Sequence, residues 1–288
     1  MKILVTGRGG QVGYELMRSL QTLGQVTGMD RQGMDLANLD QVREVIRSIK
    51  PDLIVNPAAY TAVDQAESEP ALAMLVNGQA PGVIAEEAAR IGARMVHYST
   101  DYVFDGRKKG LYSEDDLPCP INVYGQSKLA GERAIAATGV QHLIFRTSWV
   151  YGMRGKNFLL TMMRLAKERD ELRIVDDQHG APTWSRTIAD ATANMLTQAV
   201  YAADPEEWWE QQGGLYHLTA QGTTSWFGFA HAILDPTSVK PMLLPISSSE
   251  YPTPAARPAN SGMDCSRLLK TLGNLPKWRS ALALCQER

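Results

Sequence analysis

Tyr124 and Lys128 stand four residues apart in Val123–Ala137, a stretch patterned as a helix. One helical turn separates them, so both side chains share a face. An ammonium beside a phenol favours the phenolate and lowers a tyrosine pKa that starts near ~10. Such a tyrosine passes a proton to or from an alcohol oxygen at neutral pH. Of the ten tyrosines, only Tyr124 has a lysine four residues on. The spacing alone carries little weight; its place in the chain carries more. Thr100 closes an earlier apolar run, and its hydroxyl can hydrogen-bond the same oxygen. If charge grows on such an oxygen in a reaction, it calls for a proton and a hydrogen bond. Tyr124, with Lys128 as its partner, would supply the proton and Thr100 a hydrogen bond. Gly125 sits inside this helix at a cost of ~1 kcal/mol against alanine. Close approach of a ligand, or simple packing, would explain it.

A glycine-rich turn near the N-terminus reads independently as a dinucleotide site. Gly7-Arg8-Gly9-Gly10-Gln11-Val12-Gly13 follows the first apolar run and opens a helical stretch. Gly7 permits the tight turn, Gly10 lets backbone approach a pyrophosphate, and Gly13 lets helix and strand pack closely. Gln11 and Val12 begin the helix, whose free N–H groups and positive dipole end suit phosphate. Asp30 ends the second strand pattern, 23 residues after Gly7. An acid there bonds the ribose 2′-OH of NAD, whereas an arginine such as Arg31 accepts the 2′-phosphate of NADP. The two signals conflict, which predicts use of both NADH and NADPH. Asp35-Leu36 and Ala58-Ala59-Tyr60 fall in strand-end loops, where cofactor is expected. Ordinary turn chemistry is the competing reading for both.

The elements that must position these residues alternate. Strand patterns cover Lys2–Thr6, Gln25–Met29, Leu53–Val55, Arg94–Tyr98 and His142–Arg146. Helical patterns cover Gln11–Leu23, Val42–Ile49, Pro70–Ile91 with an interruption at Pro81, and Val123–Ala137. This rhythm predicts an α/β fold: a Rossmann-type, doubly wound parallel sheet with helices on both faces. After Val150 the pattern loosens. Asn157–Lys167 and Ile188–Ala199 read as helices, Leu215–Leu218 as a strand, and Ala202–Gly214 as a surface excursion. The last third is punctuated by proline and serine and predicts a smaller, irregular substrate-binding lobe. Residues 1–150 would form the dinucleotide-binding domain, with about 172–200 and 214–235 returning to it. Residues 151–171 and 236–288 would mainly form the lobe.

Composition sets limits. Against 29 Lys+Arg stand 31 Asp+Glu, a net charge of −2 over 288 residues, which argues against a nucleic-acid partner. No stretch approaches the ~20 apolar residues of a membrane span, and the N-terminus does not read as a signal peptide. Cys119, Cys265 and Cys285 are scattered without metal or disulfide spacing. A reducing, cytoplasmic setting is expected.

These residues, with further segments, resemble the extended short-chain dehydrogenases/reductases, and among them the dTDP-4-dehydrorhamnose reductases. The segments are Gly7–Gly13, Val55–Asp64, Ser99–Gly106, Asn122–Lys128, Phe145–Tyr151, Asp177–Thr183 and Tyr251–Ser261, so the resemblance spans essentially the whole chain. It implies NAD(P)H-dependent reduction of the 4-keto group of dTDP-4-dehydro-β-L-rhamnose, the last step of dTDP-rhamnose supply for cell-wall polysaccharides such as O-antigen. It assigns Tyr124 as proton donor. Lys128 becomes its partner and a holder of the nicotinamide ribose. Thr100 stands in place of the more common serine. Thr100, Asp101 and Trp149 would contact the sugar, and Arg257 the diphosphate, where a guanidinium fork suits paired oxygens. Gly10, Gln11, Val12, Asp30, Asp35, Leu36, Ala58, Ala59 and Tyr60 would line the cofactor.

Some relatives are described as dimers bridged by magnesium through glutamates. Glu15 matches one such ligand, but Arg186 occupies the place expected for another, and a cation beside a divalent ion is unfavourable. The expectation is therefore a monomer or weak homodimer without a metal site. For Trp184 a core or surface position is expected rather than a pocket one. Two alternatives share the framework. One is another nucleotide-sugar reductase or epimerase. A dehydratase fits poorly, because Asp101 is followed by Tyr102 rather than a second acid. The other is a non-catalytic, dinucleotide-binding regulatory subunit.

Overall fold

Alternation of apolar stretches carries directly into alternation of elements in the computed structural model, which describes residues 1–287. In chain order come β1 (Lys2–Val5), α1 (Gln11–Ser19), β2 (Gln25–Gly28), α2 (Leu39–Ile49), β3 (Leu53–Asn56), α3 (Val63–Ala66) and α4 (Pro70–Met74). A wide π turn, Leu75–Gln79, joins α4 to α5 (Ala80–Ile91). Next come β4 (Arg94–Thr100), a 3-10 turn (Asp101–Val103), α6 (Val123–Ala137) and β5 (His142–Thr147). Then follow β6 (Val150–Tyr151), α7 (Phe158–Glu168), β7 (Glu171–Val175), β8 (His179–Gly180), β9 (Thr183–Trp184), α8 (Ser185–Tyr201), α9 (Pro205–Gln212) and β10 (Gly214–His217). The remaining elements are β11 (Thr224–Ser225), α10 (Trp226–Leu234), β12 (Met242–Ile246), α11 (Ser266–Leu272) and α12 (Trp278–Gln286).

Six strands pair in the order β10-β5-β4-β3-β1-β2, all parallel, so the doubly wound sheet expected from the sequence is present. Successive residues face opposite sides of a strand. Ile3, Val5, Val55, Val96 and Phe145 pack against α1 and α8, whereas Leu4, Ile54, Met95 and Ile144 pack against α2 and α5. The winding reverses between β1 and β3, and doubly wound sheets bind ligand at that reversal. A third cluster joins α7, α10 and α12 with Leu172 and Ile174 of β7, which pairs in parallel with β12. Helix α11 packs instead with the sheet, through Leu268 in the first cluster.

Local chemistry explains where elements begin and stop. Asn122 accepts a hydrogen bond from Gly125 N and starts α6; Gly92, at φ 71°, ends α5. Helix α2 starts three residues before the expected Val42, because Asn38 caps it through Gln41 N. Pro81 stands at the start of α5 as expected, but the chain enters it through the π turn without a break. The expected excursion over Ala202–Gly214 is helix α9. Asp204 caps it through the N–H groups of Glu206 and Glu207, and Trp209 packs into the sheet's core. Trp184 is partly buried against the third cluster and also lines a cleft with Thr187, Asp190 and Leu284, so it is not the purely core or surface residue expected.

Candidate active site

The turn after β1 is built by three glycines. Gly7 has φ +56°, and a Cβ there would lie 3.0 Å from the Ala58 Cβ in the loop after β3. A Cβ on Gly13 would lie 2.2 Å from the Gly7 carbonyl oxygen, so helix and turn meet backbone to backbone. Gly10 is the N-cap of α1 and carries no capping side chain, leaving first-turn N–H groups without a side-chain cap. A neighbouring cleft of about 210 Å³ is lined by Gly7, Asp30, Arg31, Asp35, Leu36, Ala58, Ala59 and Tyr60, with Met34, Leu72 and Val76 between them. Eight residues singled out for a dinucleotide therefore meet around one space. The glycine turn and cleft suit the diphosphate and adenosine end of such a cofactor.

Asp30, expected to bond the ribose 2′-OH, is already engaged within the chain. Arg8 pairs with it at 2.7 Å, and the N–H groups of Gln32 and Gly33 donate to its other oxygen. These bonds, Arg8 first, hold its carboxyl below the usual range. Arg31 is largely exposed, 3.5 Å from Asp35. Gln11 is also engaged: its Oε1 accepts from Asn157 at 2.8 Å. Tyr60 donates to Glu69, and burial followed by that carboxylate pushes its phenol up to about 12.

Thr100, Asp101 and Tyr124 meet where β4 gives way to the turn before α6. Thr100 donates to one Asp101 oxygen at 3.0 Å, and Ser261 donates to the other. Burial pushes the Asp101 carboxyl up to about 6 against those hydroxyl bonds. Burial and the Asp101 charge push the Tyr124 phenol up to about 12, while the Thr100 hydroxyl pulls the other way. The sequence-based expectation of a lowered phenol is thus corrected: burial and the Asp101 charge outweigh the Thr100 hydroxyl. Lys128 spends its bonds on Tyr98 O (2.6 Å) and His97 Nε2 (3.2 Å). Burial brings its ammonium down to about 8, with Glu132 opposing.

The other expected sugar contacts have identifiable neighbours. Arg257 pairs with Asp64 of α3 at 2.7 Å and donates to Ala255 O at 2.9 Å. It also acts electrostatically on Tyr102, whose ring meets Tyr124 edge-on at 5.5 Å. Trp149 has a left-handed backbone, φ 47°, and its ring stacks on Trp226 with centroids 3.6 Å apart. Gly180 makes room for it: a Cβ there would lie 2.6 Å from the Trp149 ring.

Sequence reasoning missed four residues here. Asn77, on the π turn, exchanges hydrogen bonds with both backbone groups of Tyr60 and reaches the Ser127 hydroxyl at 3.0 Å. It ties the cofactor loop to the Tyr124 helix. Ser261 and His97 are the second and third. Arg154 is the fourth; its Nε lies 3.3 Å from Gly9 O over the glycine turn. Only the polar, loop-borne Arg154 carried a usable signal, as a cation in a glycine-flanked loop. Among the described residues, no group of three or more His, Cys, Asp or Glu is placed to hold a metal. No described helix is long and apolar enough to cross a membrane. Arg186 lies 3.9 Å from Asp190, which accepts from Ser19 of α1.

A parallel sheet with a glycine turn at its winding reversal, and a Tyr–Lys helix after β4, defines the short-chain dehydrogenase/reductase class. The family model described as RmlD substrate binding domain matches residues 1–288. A dTDP-4-dehydrorhamnose reductase of Burkholderia thailandensis is 51% identical over 99% of this chain and 98% of its own. That of Escherichia coli K12 is 44% identical over 97% and 95%. The chain belongs to the dTDP-4-dehydrorhamnose reductase family. A Bacillus anthracis member solved in complex with NADP superimposes with TM-score 0.89 at 36% identity, covering 99% of this chain and 98% of its own. A Thermus thermophilus UDP-glucose 4-epimerase solved with NAD shares the fold, with TM-score 0.82 at 18% identity over 99% and 97%.

Proposed function

We propose that this chain reduces the 4-keto group of dTDP-4-dehydro-β-L-rhamnose to dTDP-β-L-rhamnose, at the expense of NADPH or NADH. The observation that carries the reading is Thr100 in hydrogen-bond reach of Tyr124, one turn from buried Lys128 on a helix that Asn77 ties to Tyr60 of the cleft, in a chain aligned end to end with reductases of that name. When bound, the dinucleotide supplies hydride from its nicotinamide ring. The chain supplies the rest. Gly10, Gln11 and Val12 at the start of α1 would hold the pyrophosphate, and Asp30, Arg31, Asp35 and Leu36 the adenosine end. Ala58, Ala59 and Tyr60 line the wall between them.

With its phenol pushed up to about 12, Tyr124 holds its proton at neutral pH and gives it to the oxygen on which charge develops. The phenolate left behind needs a cation. Lys128 is mostly ammonium at pH 7 and stands one turn away. The Thr100 hydroxyl, donated to Asp101 in the free chain, would turn to the sugar oxygen. Asp101 and Trp149 would bind the sugar and Arg257 its diphosphate, the guanidinium leaving Asp64 for phosphate oxygens.

Loss of nicotinamide absorbance with freshly made dTDP-4-dehydrorhamnose, followed by product identification, tests the activity. Tyr124→Phe should lose most of the rate; a variant that kept it would remove Tyr124 as donor. Use of both cofactors is tested by their kcat/KM values, and a preference beyond roughly a thousandfold refutes it. The assembly is a monomer or weak homodimer in a cytoplasmic setting. Light scattering with and without EDTA tests this, and an EDTA-sensitive dimer overturns it.

A further inference from the structure

Lys128 does not stand alone beneath the site. His97 is wholly buried on β4, its Nε2 3.2 Å from Lys128 Nζ. Its Nδ1 lies 3.1 Å from the side-chain amide of Asn56, the last residue of β3. The Thr6 hydroxyl donates to Asn56 Oδ1 at 2.6 Å, so Nδ2 is the end that faces His97, and Thr6 Oγ1 accepts from Ala58 N–H at 3.3 Å. Thr6 immediately precedes Gly7. Thr6, Asn56, His97 and Lys128 are each at most 2% exposed. Four buried side chains therefore run without a gap beneath three adjacent strands, from the glycine turn to the catalytic helix.

We propose that His97, oriented by Asn56 and Thr6, is a positioning residue that seats the Lys128 ammonium and ties it to the cofactor turn. The proposal rests on the catalytic role given to Lys128 above.

The bonding rules of the groups carry the argument. A buried ammonium has three N–H donors to satisfy, and Tyr98 O takes one. His97 Nε2 takes a second only if it lacks a proton, so Nδ1 must carry it. Which nitrogen is protonated depends on the partner of the other. Asn56 accepts from Nδ1–H only after a half-turn that presents its oxygen to His97, and it then donates its N–H to Thr6. As the amide stands here, with Nδ2 toward His97 and Oδ1 accepting from Thr6, Asn56 donates to Nδ1, which leaves Nε2–H facing Lys128 and suits only an uncharged amine. The two ends of an amide are close in shape, so a half-turn exchanges them. The setting of Asn56 thus goes with the charge of Lys128.

Burial and the Lys128 charge keep His97 well below its ordinary range, so it stays neutral throughout. The other charges around the pair are few. Glu132, on the same helix, is bound to Arg146 of β5; His142 acts on His97 from β5; Asp101 lies beyond Tyr124.

Two isosteres separate the two ends of the imidazole. His97→Asn keeps a polar group near the Nδ1 position but does not reach Lys128. His97→Gln places one near Nε2. Removing a hydrogen bond to the buried ammonium favours its loss of a proton. In His97→Asn the alkaline limb of the kcat profile should therefore move about one pH unit lower, and kcat at pH 8 should fall about fivefold. KM for the sugar nucleotide should stay within about twofold. His97→Gln should restore the limb and most of the rate. Thermal unfolding of both variants accompanies the kinetics, because a purely structural role would lower Tm and rate together and leave the limb in place. A wild-type limb in His97→Asn, or identical profiles in the two variants, overturns the proposal. Lys128→Met separates the underlying reading: if it turns over normally, the site assignment itself fails. If it is inactive while His97→Asn is wild-type, only the positioning role fails.

Discussion

Asp101→Asn isolates the one carboxyl among the described residues that burial pushes up to about 6. Asp101 is 2% exposed and accepts from the Thr100 and Ser261 hydroxyls. Its carboxyl nevertheless moves from 3.8 up to about 6, because burial outweighs those bonds. At 1.36 kcal/mol per unit, a shift of roughly two units is worth about 3 kcal/mol. The sign follows from linkage. With a raised folded-state pKa, the contribution is fully present below the ordinary carboxyl value and is lost as pH rises through about 6. Asparagine keeps the shape, still accepts one hydroxyl, and cannot ionise. The difference in Tm between Asp101→Asn and wild type should therefore grow in favour of the variant between pH ~4 and ~7.5. At roughly 2 °C per kcal/mol for a chain of this size, the growth is about 6 °C. Taking the difference cancels every other titrating group. Thermal unfolding across that window measures it, and a flat difference refutes the account. The same substitution removes a charge that raises Tyr124, so the phenol's alkaline titration should move down.

Gly13→Ala places a Cβ 2.2 Å from a backbone oxygen, so it should cost about 1–3 kcal/mol and weaken NADPH binding, read by unfolding and by fluorescence titration. Glu132→Gln leaves Arg146 buried without its carboxylate. With both side chains under 10% exposed, it should lose about 3–5 kcal/mol in urea unfolding. Arg154→Ala removes a guanidinium at the glycine turn. It should raise KM for NADPH by up to about tenfold with kcat little changed, and flatten the salt dependence of that KM.

The glycine turn, the Tyr124–Lys128 helix and the parallel sheet were all legible, because each depends on local spacing. The partners were not. His97 lies in the apolar run Arg94–Tyr98, where periodicity marks it as buried but cannot name Lys128, 31 residues away, as its contact. Asp30 was read for the ribose alone, since its pairing with Arg8 needs β1 and β2 side by side. The direction of the Tyr124 shift was misjudged for a related reason: one sequence neighbour was weighed, while burial and Asp101 act from the fold. Helix α9 did carry a readable signal, Asp204 as cap and Pro205 in the first turn, which the charged composition around it obscured.

The wide turn at Leu75–Gln79 holds one residue more than regular winding needs. Elsewhere in a helix, deleting a residue swings everything beyond it through about 100° and unseats one flank. Deleting one residue here lets the helix wind regularly, with α4 and α5 still facing the neighbours they already have. The segment is therefore a phase correction in the helix, and shortening it would cut the Asn77 bridge between cofactor loop and catalytic helix while leaving both flanking surfaces in register.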